Sequence, residues 1–122
     1  MITELQTDLL STRLQQCLEN LYPDAVFPDV YTGPLPEYIV WNYNQLPAVW
    51  AEGVPHAARY LVQVHFYLPH KKSPLAAILA LQQAISGAGF TWPQVTDATD
   101  AEGQHWVLEC EYADGGGLYG YA

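Results

Sequence analysis

Four histidines (His56, His65, His70 and His105) and two cysteines (Cys17 and Cys110) are the side chains here best suited to hold a metal or move a proton. His65 and His105 fall on the polar faces of two segments that alternate as strands do, with Glu109 close by in sequence to the second. Together the three could share a proton or bind an ion. A stable metal site needs about three ligands at fixed spacing, and no helix or hairpin motif fixes them. The expectation is therefore solvent-facing strand residues and no bound metal. Neither cysteine has a His or basic neighbour to lower its pKa, and both sit among apolar residues. Buried free thiols are expected, not a nucleophile or a disulfide. No Gly-x-Ser-x-Gly elbow is present. Asp97, Asp100 and Glu102 lack the regular alternation of an EF-hand and read as turn chemistry. Gly115-Gly116-Gly117 precedes no helix, so it is no phosphate cradle. The residues thus point away from an enzyme and from any cofactor. Nine tyrosines and four tryptophans suit a protein interface, where aromatic side chains contribute most.

Charge narrows the partners. Thirteen Asp and Glu against four Lys and Arg give a formal net charge of −9. Such a surface repels phosphate backbones and anionic lipid, because both are bound mainly through Lys and Arg. Lys71-Lys72 is the one adjacent pair of cations. Nucleic acid and membrane are not expected partners. No apolar run approaches the roughly 20 residues that cross a bilayer. Glu4 and Asp8 near the start do not fit the basic-then-apolar pattern of a signal peptide. At 122 residues, half of them apolar, the chain has the size and composition of one folded domain.

The elements that would position these side chains follow from periodicity. Ile2, Leu5, Leu9, Leu10, Leu14, Cys17, Leu18 and Leu21 recur at steps of three and four and predict an amphipathic helix. Thr3 and Gln6 resemble a capping box, and Pro23 ends the pattern. Tyr22 to Pro36, with four prolines, reads as an extended connector. Glu37 to Asn44 alternates as a strand, with Tyr38, Val40 and Asn42 on one face and Ile39, Trp41 and Tyr43 on the other. Arg59 to Leu68 does so most clearly: Tyr60, Val62, Val64, Phe66 and Leu68 share a face opposite Gln63, His65 and Tyr67. Between them, Gln45 to Ala58 carries Pro47, Gly53 and Pro55 and reads as a long loop, a length often tied to function. Ser73 as N-cap and Pro74 in the first turn predict a second helix, with Leu75, Ile78, Leu79, Gln82 and Ile85 at helical spacing and Gly87 as its stop. Phe90 to Thr96 and Gln104 to Tyr112 read as a final strand pair. In the latter Trp106, Leu108, Cys110 and Tyr112 face one way and His105, Glu109 and Glu111 the other. The expected fold is α+β, a mainly antiparallel sheet packed against two helices in the order α-β-β-α-β-β. It would form one domain over residues 1–113, with a flexible Gly/Tyr-rich tail over 114–122.

The run EYIVWNYNQLPAVWAEGVPHAARYLVQVHFYLP, a helix, and then GFTWPQVTDATDAEGQHWVLECEY together resemble the tail terminator or tail completion proteins of long-tailed bacteriophages and prophages. The resemblance spans Tyr38 to Tyr112. Its most telling pieces are Arg59-Tyr60-Leu61-Val62-Gln63-Val64 and Gly89-Phe90-Thr91. It implies a virion assembly protein, a homo-oligomeric ring of typically six subunits that caps the tail tube and meets the head–tail connector protein. It would be located in the virion tail, and in the host cytoplasm during assembly. A head–tail connector or other minor tail protein is the alternative within the same setting, and a small ligand-binding or enzymatic α+β domain lies outside it. The residues expected to touch a neighbour are Trp50, Glu52 and Arg59, in and beside the long Gln45–Ala58 segment.

Overall fold

The computed structural model describes residues 2–51 and 54–112, and side chains over 9–45 and 59–112. The expected Thr3–Gln6 capping pair, Glu52, and the tail over 114–122 fall outside them. Helix α1 (Ile2–Glu19) is followed by β1 (Val26–Pro28), β2 (Tyr38–Ala51), β3 (Val54–Leu68), α2 (Leu75–Gly87), β4 (Gln94–Asp97) and β5 (Gln104–Glu111). The fold is α+β, as the patterning predicts. The order differs by one strand, because the connector after α1 contains β1. The five strands lie in the order β1-β2-β3-β5-β4. Three of the four pairings are antiparallel, and β1 runs parallel to β2 with Val26 opposite Ile39.

That parallel strand escaped the sequence because three residues are too few to show alternation. Its ladder is made by Ile39 N–H donating to Ala25 O (2.8 Å) and Asp29 N–H to Trp41 O (2.9 Å). Asp24 and Asp29 flank it at φ 61° and 67°, a left-handed conformation that Asp tolerates better than most residues.

Both helices pack on one face of the sheet. The alternation of β3 is realised in full: Tyr60, Val62, Val64, Phe66 and Leu68 are buried, beside Ile39 and Trp41 of β2 and Leu108, Cys110 and Tyr112 at β5. From α1 come Leu10, Leu14 and Leu18, all fully buried. The outer members of the expected stripe do not join them: Leu9 and Leu21 are each 39% exposed, and Leu21 lies past the helix end. In α2 the buried side chains are Ile78, Leu81 and Ile85, while Leu75 and Leu79 face outward at 73% and 48% exposed. The expected face is thus rotated, because the helix meets the sheet along its 78–81–85 edge. Pro74, not Ser73, occupies the N-cap, without a side-chain cap. The helix ends at Gly87, and Gly89 at φ 106° turns the chain back. Phe90 makes only an isolated bridge to Tyr112, so the fourth strand starts later than expected, at Gln94.

Two glutamines fasten the layers. Gln15 of α1 accepts a hydrogen bond from the Trp41 indole (2.6 Å) and donates to Val26 O (2.9 Å), tying the helix to β1 and β2. Gln104, the one buried polar side chain among the described residues, donates from Nε2 to the carbonyls of Pro69 (2.9 Å), His70 (3.3 Å) and Lys72 (2.7 Å). Its Oε1 accepts from the Trp106 indole at 3.0 Å. It thereby pins the β3–α2 connection to the start of β5.

Candidate functional site

The segment expected to be a loop is instead the outer part of a hairpin. β2 and β3 continue pairing from Gln45 opposite Tyr60 to Ala51 opposite Val54. Strand β1 accompanies β2 only over Ile39–Trp41, and β5 accompanies β3 only as far as Leu61. Beyond Tyr60, whose carbonyl still accepts from the Tyr112 N–H at 3.1 Å, the two strands pair only with each other among the described residues. At about 3.3 Å per residue the ribbon extends roughly 20 Å past the sheet. Pro47 and Pro55 argue against a central strand, since neither can donate to a ladder. They are tolerated here because, among the described residues, each strand has a neighbour on one side only. Register shifts between Pro47 and Val49 and between Val49 and Trp50 absorb the remaining irregularity as a bulge.

Of the expected contact residues, Trp50 lies in β2 with its backbone opposite Pro55, and its side chain is outside the described residues. Glu52 is outside them entirely. Arg59 stands at the root of the ribbon and is exposed. Its Nε and Nη2 grip both carboxylate oxygens of Glu111 at 3.1 and 2.6 Å. This bidentate contact holds the Glu111 carboxyl below the usual glutamate value, chiefly through the hydrogen bonds from Arg59.

The face of the sheet opposite the helices carries a second feature. Phe27 stacks on Tyr31 (centroids 4.1 Å apart) and Tyr31 leans on Tyr38 (4.7 Å). Tyr38 then stacks on Tyr67 (4.7 Å), and Tyr67 on His105 (4.3 Å). The row ends where His65 Nδ1 meets His105 Nε2 at 2.8 Å. Six half-buried or exposed rings thus cross β1, β2, β3 and β5. Because neighbours cover one another's faces, the row presents mainly ring edges, hydroxyls and ring nitrogens to solvent. A strip of that kind offers hydrogen-bonding contacts to a protein surface, not flat platforms for bases or sugars. Burial pushes the Tyr38 and Tyr67 hydroxyls up, helped by each one's neighbouring tyrosine and by the carboxylates of Glu102 and Asp100 respectively. Burial likewise lowers both histidines, with the charge of His105 adding to the effect on His65; Glu109 opposes it at His65 and Asp100 at His105.

His65 and His105 therefore do meet, as their shared face suggested. Glu109 instead accepts from Gln63 Nε2 at 3.0 Å, and among the described residues no group of three or more His, Cys, Asp and Glu is placed to hold a metal. His70 lies apart, 3.3 Å from Ala101 O; His56 is outside the described side chains. Asp97 and Asp100 accept from the backbone N–H groups of Thr99 and Glu102, both at 2.9 Å, which is the turn chemistry expected of that loop. Cys17 and Cys110 are free, and burial pushes their thiols up to about 11 and about 12. They are protonated and poor nucleophiles at neutral pH. Sequence reasoning missed Phe27 and Tyr31, which sit in a connector without periodicity. No helix among the described residues is long and apolar enough to cross a membrane. No family model and no curated protein matches the chain.

Proposed function

We propose that this protein is a non-enzymatic virion assembly protein of the tail terminator kind, forming a homo-oligomeric ring that caps a tail tube and meets a head connector. The supporting observation is the β2–β3 ribbon, which extends past the sheet with no further strand on either edge among the described residues. An isolated two-stranded ribbon is marginally stable in water. One extended this far gains most by packing against another surface, and a neighbouring subunit or the tube end supplies that surface. Trp50, on the outer half of the ribbon, is the anchor of the contact, with Arg59 at its base. The net charge of −9 fits a protein that works beside DNA without binding it. The six-membered ring and the identity of the partners rest on the family resemblance.

Solution mass by light scattering and negative-stain imaging test the reading. Discrete rings, or particles seated at tube ends, support it. A monomer at all concentrations that fails to bind tubes refutes it. Binding to the head portal in preference to tubes would transfer the protein to the connector class.

A further inference from the structure

We infer that His65 and His105 form a two-nitrogen chelating site for a divalent transition-metal ion of the Cu²⁺ or Ni²⁺ class. His65 Nδ1 and His105 Nε2 face one another at 2.8 Å, a distance at which two imidazole nitrogens share one proton. A metal–imidazole bond is about 2.0–2.1 Å long. Two nitrogens bound at 90° to one ion therefore stand about 2.9 Å apart, and two bound at the tetrahedral angle about 3.3 Å apart. The pair already has the first spacing. The rings now meet end to end, centroids 5.1 Å apart, so an ion preferring square-planar or tetragonal geometry keeps the nitrogen spacing while each ring turns by about 45° toward the apex, whereas zinc must also open the pair by about 0.5 Å. The order Cu²⁺, Ni²⁺, Zn²⁺ in affinity follows, in line with the general ligand preference.

The backbone holds this spacing. In the β3–β5 ladder His65 lies opposite Val107 and Tyr67 opposite His105, so the two histidines are diagonal neighbours on one face. Stacking on Tyr67 at 4.3 Å keeps the His105 ring on this face. Glu109 lies on the other diagonal from His65, held by Gln63, and Asp100 acts on His105 from the β4–β5 loop. Both carboxylates favour a cation there. Both rings are half-buried, so an ion can reach them and complete its coordination with water, since no third ligand is placed beside them among the described residues. The proton between the rings moves to the other nitrogen of the ring that carries it, so binding releases no net proton at neutral pH.

The test uses the full chain, stripped of metal by a chelator and titrated with CuCl₂, followed by calorimetry and electron paramagnetic resonance. One equivalent should bind with hyperfine coupling to two ring nitrogens. Each of His65→Gln and His105→Gln should lose that coupling and weaken binding by at least about tenfold, while His70→Gln should bind as wild type. His105→Phe, which keeps a ring against Tyr67, repeats the test if the glutamine variant melts early. Copper binding equal in wild type and in both the His65 and His105 variants overturns the assignment, as does wild type with no equivalent bound. A preference for Zn²⁺ over Cu²⁺ would also contradict the geometry.

Discussion

Replacing Gln104 with leucine should destabilise the fold by about 2 kcal/mol, although the change is to an apolar residue of similar size at a buried position. Gln104 is only 7% exposed and makes four contacts: three donated to the carbonyls of Pro69, His70 and Lys72 and one accepted from Trp106 Nε1. Its amide has two hydrogens, so the three carbonyls share about two full bonds, and three bonds in all are lost. Each is worth a net ~0.5–1.5 kcal/mol. Part returns through burial of the leucine and through rehydration of His70 and Lys72, which stand at an exposed turn. The partly buried Trp106 indole loses its acceptor. About 2 kcal/mol remains, equal to a fall in Tm of roughly 8 °C for a domain of this size. Urea unfolding followed by tryptophan fluorescence, together with thermal melting, measures it. A loss under about 0.5 kcal/mol would refute the claim that this side chain fastens the β3–α2 connection. Gln104→Glu sharpens the test. A carboxylate facing three carbonyls is disfavoured, so its folded-state pKa is raised above the unfolded value. The variant should therefore lie nearest wild type below the unfolded pKa and fall further behind as pH rises through the folded one.

Other expectations follow from the same geometry. Leu14→Ala, at a fully buried position of α1, should cost about 2–5 kcal/mol in urea unfolding and show whether the helix belongs to the cooperative core. Arg59→Ala should cost at most about 0.5 kcal/mol, because the pair with Glu111 is exposed. Since Glu111 is lowered in the fold, that difference should be complete above the ordinary glutamate pKa, vanish as pH falls through the lowered value, and shrink in high salt. Cys17→Ser and Cys110→Ser should each lose modest stability from a hydroxyl in apolar surroundings, and a reducing agent should leave the wild-type Tm unchanged; a large shift would reveal a disulfide. Trp50→Ala should melt near wild type yet fail to form rings or cap tubes. Normal assembly of that variant would remove the ribbon from the proposed interface, and outright unfolding would place Trp50 in the core.

What the sequence determined by itself was the part governed by local period. The alternation from Tyr60 to Leu68 assigned the core face of β3 residue by residue, because a strand buried on one side must alternate. It likewise put His65 and His105 on the opposite face, and helical spacing put Leu10, Leu14 and Leu18 within the apolar stripe of α1. Tertiary structure decided what depends on neighbours. Prolines at 47 and 55 read as a loop, whereas they lie in a hairpin whose strands, among the described residues, pair only with each other there, and a missing N–H on an outer edge goes unnoticed. The buried edge of α2 was set by how the helix meets the sheet, so Leu75 and Leu79 fell outside while Leu81 went in. Three residues became β1 because β2 offered a free edge beside them. Gln104, an ordinary polar residue in sequence, is central because three carbonyls from a distant turn converge on it. The contact between His65 and His105 also needed the register of β3 against β5, a long-range pairing that neither segment encodes alone.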